Sequence, residues 1–182
     1  MKSTFLVCCS LLLFGGIGAI VPNLEATSLA NQEKQVSPVR SIGNISQNIN
    51  RGSFETELLK LTNQERQKAG LAPLKLSSQL TRAAQSHAVD MAKNNYFSHQ
   101  GLNGSSMVDR TKSTGYQYSA LGENIAAGKA TPEGTIRQWM NSPGHRANIL
   151  NRKYTEIGFG YEYAPNSQYR YYWVQVFGAP QR

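Results

Sequence analysis

Polar and apolar positions recur at helical spacing through the first two thirds of the chain and give way to aromatic and β-branched runs near its end. Leu58, Leu61 and Glu65, flanked by Leu59 and Thr62, have the three- and four-residue spacing of a helix, with Ser53 as a capping residue and Glu55 and Glu57 in the first turn. Gly70 stops this helix and Pro73 follows it. A second helix is predicted from Ser77 or Ser78, with Leu80, Ala83, Ala84, His87, Ala88 and Met91 on one face. Residues 97–106 form a polar, glycine-containing loop, and a short helix over Met107 to Ser113 ends at Gly115. Thr131-Pro132-Glu133 opens a further helix carrying Ile136, Trp139 and Met140, which Pro143-Gly144 ends. Glu156 to Tyr163 and Tyr171 to Phe177 read as strands of an antiparallel hairpin, with a turn at Ala164-Pro165-Asn166-Ser167-Gln168. Helices first and strands last predict an α+β domain with helices covering a sheet.

The N-terminus follows different rules. Lys2 precedes an apolar run from Phe5 to Phe14 that fades towards Ile20, and Ser28-Leu29-Ala30 supplies a small-x-small site. This order reads as a secretory signal peptide over 1-30, cleaved near Ala30, and predicts a secreted or periplasmic protein. The alternative is an uncleaved anchor, but Gly15, Gly16 and Gly18 interrupt a run that would need ~20 apolar residues to span a bilayer. Residues 31-52, rich in Gln, Asn, Ser and charge, are expected to be a flexible linker, leaving 53-182 as the folded domain.

Composition narrows the chemistry. Both cysteines, Cys8 and Cys9, lie in the signal segment, so the exported chain has no disulfide, thiolate or cysteine-ligated zinc to call on. The 182-residue chain carries a net charge of +8, and the signal removes one basic and one acidic residue, which leaves that balance unchanged. The basic residues are scattered, with only Arg152 and Lys153 adjacent, so they describe a solvated surface rather than a nucleic-acid groove.

Three histidines are available. His87 shares the apolar face of the second helix and is expected to be packed. His99 follows Tyr96-Phe97-Ser98 on a loop, where it either braces the loop or belongs to a site. His145 follows Ser142-Pro143-Gly144, and caps or packs a helix end or belongs to the same site. Glu123 lies between Leu121 and Ile125-Ala126, which implies partial burial and therefore a partner, for which an imidazole is suitable. Asn124 is expected to bond to nearby backbone. Ser142 and His145, three apart, invite a nucleophile–base reading, but there is no Gly-x-Ser-x-Gly elbow and no third member stands out. No catalytic set is assigned.

These segments together resemble the CAP superfamily (the SCP domain of cysteine-rich secretory proteins, venom antigens and pathogenesis-related proteins), in particular its bacterial, secreted, cysteine-poor branch. The resemblance rests on Asn63-x-x-Arg66 before Leu74-x-Leu76, the Ala83 to Met91 helix, Phe97-Ser98-His99, Gly122-Glu123-Asn124-Ile125-Ala126, Trp139 to Arg146, Ile157-Gly158-Phe159-Gly160 and Tyr172 to Phe177. It implies a three-layer α-β-α sandwich with an antiparallel sheet and a central cleft. Eukaryotic members hold two histidines and two glutamates there. His99, Glu123 and His145 match three of those positions, and Ser142 stands where the second glutamate would fall.

The implied site is a metal centre of His99, Glu123 and His145 for zinc or another divalent cation, with Ser142 and Asn124 lining the cleft. The expected partner is an extracellular small molecule, lipid or cell-wall component, and no nucleic acid. The alternatives are a lipid- or sterol-binding module built on Tyr169, Tyr171, Tyr172 and Trp173, a cell-wall interaction module, and a weak protease-like hydrolase. The oligomeric state is left open.

Overall fold

The computed structural model describes residues 38–181. The signal-peptide reading and residues 31–37 lie outside them. In chain order the elements are α1 (Pro38–Lys68), β1 (Lys75–Leu76), α2 (Ser78–Lys93), α3 (Met107–Ser113), β2 (Tyr118–Ala127), α4 (Pro132–Met140), α5 (Pro143–Ile149), β3 (Glu156–Tyr163) and β4 (Tyr171–Pro180).

The four strands form one sheet in the order β1-β3-β4-β2. β4 is its spine, antiparallel to both β2 and β3. These three strands form the expected antiparallel sheet, and the two-residue β1 adds a parallel edge on β3, where Ser77 N–H extends the ladder to the Ile157 carbonyl at 2.8 Å.

Strand alternation builds the layers. Tyr172, Val174 and Val176 of β4 face α2 with Leu80, Ala84, Ala88 and Met91. Trp173 and Phe177 face the opposite way, towards Leu58 of α1, Ile136 and Trp139 of α4 and Ile149 of α5. Two apolar cores on opposite faces of one sheet give the α-β-α sandwich. α2 lies unusually close to β3, because a Cβ on Gly158 would sit 2.1 Å from the Leu80 carbonyl carbon and the Thr81 nitrogen.

Beneath α1 a single buried cation ties two connections together. Arg66, 2% exposed, donates to the carbonyls of Ala72 (2.9 Å), Ile149 (2.8 Å), Asn151 (2.9 Å) and Tyr154 (3.4 Å). The loop after α1 and the turn after α5 are thus held on one guanidinium, whose pKa burial lowers.

The start of one expected helix changes, and two elements appear that the residue pattern does not announce. The helix expected from Ser53 begins at Pro38 and runs through Ser53. Val39, Ile42, Ile45 and Ile49 recur at three- and four-residue intervals, the spacing of a helix despite their polar neighbours. The Gly122-Glu123-Asn124 motif is the middle of β2, a ten-residue strand that the residue pattern did not announce. Pro143 opens α5 as well as closing α4, since proline suits the first position of a helix.

Candidate cleft at the free edge of β2

β2 is an outer strand, so elements from both helical layers converge on its open edge. Within it, Glu123 pairs with Val176 and Asn124 with Gln175. Adjacent strand residues point to opposite faces, so Glu123 turns to the α2–α3 side and Asn124 to the α1–α5 side.

On the first side, Glu123 is 8% exposed and uses both carboxylate oxygens. Oε1 lies 2.8 Å from His99 Nδ1, and Oε2 accepts from Arg110 Nη2 at 2.8 Å. A carboxylate beside an arginine accepts, so Nδ1 of His99 carries the proton in this pair and Nε2 is turned away from it. Arg110 also donates to the carbonyls of His99 and Ser105, each at 3.0 Å. It stands on α3, which is opened by a capping box between Ser106 and Asp109. The guanidinium therefore holds the carboxylate and both ends of the loop that carries His99.

Below this loop His87 is 1% exposed, with Nε2 2.9 Å from the Ser98 carbonyl. Its pKa is lowered, chiefly by burial, against the raising influence of Glu123. It is packed, as its helix face implied, and it braces the residue before His99.

On the second side, Asn124 is fully buried and does not line an open cleft, a correction that follows from strand alternation. It donates to the His145 carbonyl at 3.0 Å and to Gln175 Oε1 at 3.1 Å, and accepts from Asn148 Nδ2 at 2.8 Å. Gln175 in turn donates to Thr62 Oγ1 at 3.0 Å. This buried polar chain joins α1, β4, β2 and α5, and it fixes the first turn of α5, which carries His145. Trp139 Nε1 adds a bond from α4 to the Ile125 carbonyl at 3.1 Å.

His145 Nδ1 is buried with no protein partner among the described residues. Its pKa is lowered, first by burial and then by the charge of His99, so the two imidazoles lie within electrostatic reach. Ser142 precedes α5 without capping it through its side chain. It lines a pocket of about 430 Å³ with Lys129, Gly134, Arg137, Gln138 and Asn141, and neither His99, Glu123 nor His145 belongs to those walls.

The donor set does not fit the expected three-residue metal centre. Both Glu123 oxygens are already engaged, one of them by a guanidinium that would oppose a second cation. Among the described residues no three His, Cys, Asp or Glu side chains are grouped to hold an ion. The structure joins His99 directly to Glu123, leaves His145 within electrostatic reach of His99, and places Ser142 and Asn124 in separate surroundings. The expected aromatic surface is divided as well: Tyr172 and Trp173 are fully buried in opposite cores.

Arg110 was not read from the sequence. The signal for it is the partial burial of Glu123, since a carboxylate has two oxygens to satisfy and one imidazole meets only one of them.

The sequence profile of the CAP family, the cysteine-rich secretory protein family, matches residues 59–177. The chain belongs to this family. It is 48% identical over 109 residues to an uncharacterized protein of Bacillus subtilis, YkwD, covering 60% of this chain and 42% of that protein. An extracellular SCP-domain protein from Bacillus anthracis superposes with a TM-score of 0.63 at 31% identity, over 70% of this chain and 40% of that one. An outer surface protein from Borrelia burgdorferi shares the fold, with a TM-score of 0.64 at 21% identity over 69% of this CAP chain and 92% of that one. The chain spans less than half the length of the two Bacillus relatives. None of the described helices is long and apolar enough to cross a membrane.

Proposed function

We propose that this CAP domain is an exported binding module that recognises an extracellular ligand with the imidazoles of His99 and His145 at the free edge of β2. The observation that carries this reading is the His99–Glu123–Arg110 arrangement. A buried carboxylate, neutralised by a buried guanidinium, holds one ring nitrogen of a histidine whose side chain is 58% exposed. Rotational freedom of the imidazole is removed before any ligand arrives, which lowers the cost of binding. His145 is fixed from the other face by the Asn124 chain. The similarity to an extracellular SCP-domain protein supports export, as does the apolar N-terminal segment.

The test is calorimetric titration of the exported protein with zinc and, separately, with soluble cell-wall fragments, beside His99→Ala/His145→Ala. Fragment binding that is lost in the double variant supports the cleft. Fragment binding that is unchanged in the double variant removes it. Zinc binding with one-to-one stoichiometry that needs Glu123, tested with Glu123→Gln, would restore the three-ligand centre that the geometry disfavours. Sequencing of the protein recovered outside the cytoplasm is expected to begin near Asn31.

A further inference from the structure

We propose that the pocket between the β2–α4 connection and the outer face of α4 is an oxyanion subsite, taking the phosphate or carboxylate group of an extracellular ligand. Its walls are Lys129, Gly134, Arg137, Gln138, Asn141 and Ser142, and this open depression has a volume of about 430 Å³. Positions 134, 137 and 138 of α4 and its C-cap Asn141 recur at helical spacing, so one face of the helix and its end form a side of it.

Two basic residues, Lys129 and Arg137, line it. The backbone of Lys129 is fixed by Trp173 Nε1, which donates to its carbonyl at 2.7 Å. Both residues border Gly134, where a Cβ would lie in ordinary contact with Thr131 Oγ1 (3.4 Å), Lys129 Cβ (3.6 Å) and Arg137 Nη2 (3.9 Å). Neither cation is ion-paired among the described residues. The Asn141 amide and the Ser142 hydroxyl add uncommitted donors. No carboxylate lines the pocket. Glu133, on the same helix, lies outside these walls; its pKa is lowered chiefly by its own backbone and Thr131, and to a smaller extent by the charge of Arg137.

Paired cations with neutral donors and no acid suit a compact oxyanion, for which arginine supplies forked N–H groups and lysine a point charge. The subsite goes beyond the cleft reading and stands without it.

The experiment is an amide-resolved NMR titration at low ionic strength with inorganic phosphate and, in a separate arm, acetate. Saturable shifts are expected at residues 129 and 134–142, with millimolar affinity. Lys129→Gln/Arg137→Gln should weaken binding at least tenfold. Ser142→Glu, which places a carboxylate in the wall, should do the same, while His99→Ala should leave it unchanged. Tighter phosphate binding assigns a phosphate ester as the ligand group, and equal or tighter acetate binding a carboxylate. Shifts that do not saturate at these amides, or equal affinity in the folded Lys129→Gln/Arg137→Gln variant, would overturn the proposal. Loss of phosphate binding in His99→Ala would do so too, by placing the anion in the cleft.

Discussion

Replacing Arg110 by Met leaves the carboxylate of Glu123 in place without its cation. The side chains of the pair are 9% and 3% exposed, and their contact is 2.8 Å. Removing one partner of a buried ion pair typically costs ~3–5 kcal/mol, because the other charge stays buried. Glu123 keeps its contact to His99 Nδ1 at 2.8 Å, which places the expected loss near the lower end, about 3 kcal/mol. Two carbonyls, of His99 and Ser105, lose their donor in the same step. In a domain of this size about 3 kcal/mol corresponds to a fall in Tm on the order of 10 °C. Urea unfolding followed by the fluorescence of the fully buried Trp139 and Trp173 measures it directly. The double variant Arg110→Met/Glu123→Gln removes the stranded charge, so its loss should be smaller than the sum of the single losses. A loss below about 1 kcal/mol for Arg110→Met, or strict additivity in the cycle, would refute the argument that this pair organises the site.

Arg66→Met strands four carbonyls in a buried position and is expected to cost on the order of 3 kcal/mol in the same urea assay; a near-neutral result would mean that water replaces the guanidinium. Gly158→Ala drives a methyl into the backbone of α2 and should destabilise by at least roughly 2 kcal/mol with a changed near-ultraviolet spectrum; wild-type stability would show that α2 can lift from the sheet without cost. His87 and His145 both titrate below the ordinary histidine value of 6.5, burial being the first cause in each. The unfolded chain therefore binds protons around pH 6.5 that the folded chain refuses, so stability is fullest above that pH and falls as the pH drops through it. Thermal unfolding between pH 7.5 and 5 should show this decline, with a shallower slope in His87→Gln; a flat profile in the wild type would contradict it.

Local chemistry was legible wherever an element announces itself through its own residues. α2 shows its apolar face from Leu80 to Met91, α3 ends before Gly115, α4 begins with Thr131-Pro132-Glu133, and the aromatic runs of β3 and β4 flank a turn of Pro, Asn and Ser. β2 did not announce itself. Its centre, Leu121-Gly122-Glu123-Asn124, puts polar residues on both faces of the sheet, which cancels the alternation that marks a strand. α5 was hidden because a proline that ends one helix is equally suited to start the next.

The sequence by itself determined the helices with clean periodicity, the hairpin, the α+β class and the family, because these depend on neighbours within a turn or a strand. It also singled out His99, Glu123 and His145 through the family's ordered motifs. Only the tertiary structure decided what those residues do to one another. Arg110 reaches Glu123 because α3 docks beside β2, and Asn124 reaches His145 because α5 folds over the opposite face. A carboxylate's partner is chosen by burial and approach in three dimensions, and no periodicity along the chain records that choice. The same burial holds the Glu123 carboxylate between a guanidinium and a histidine.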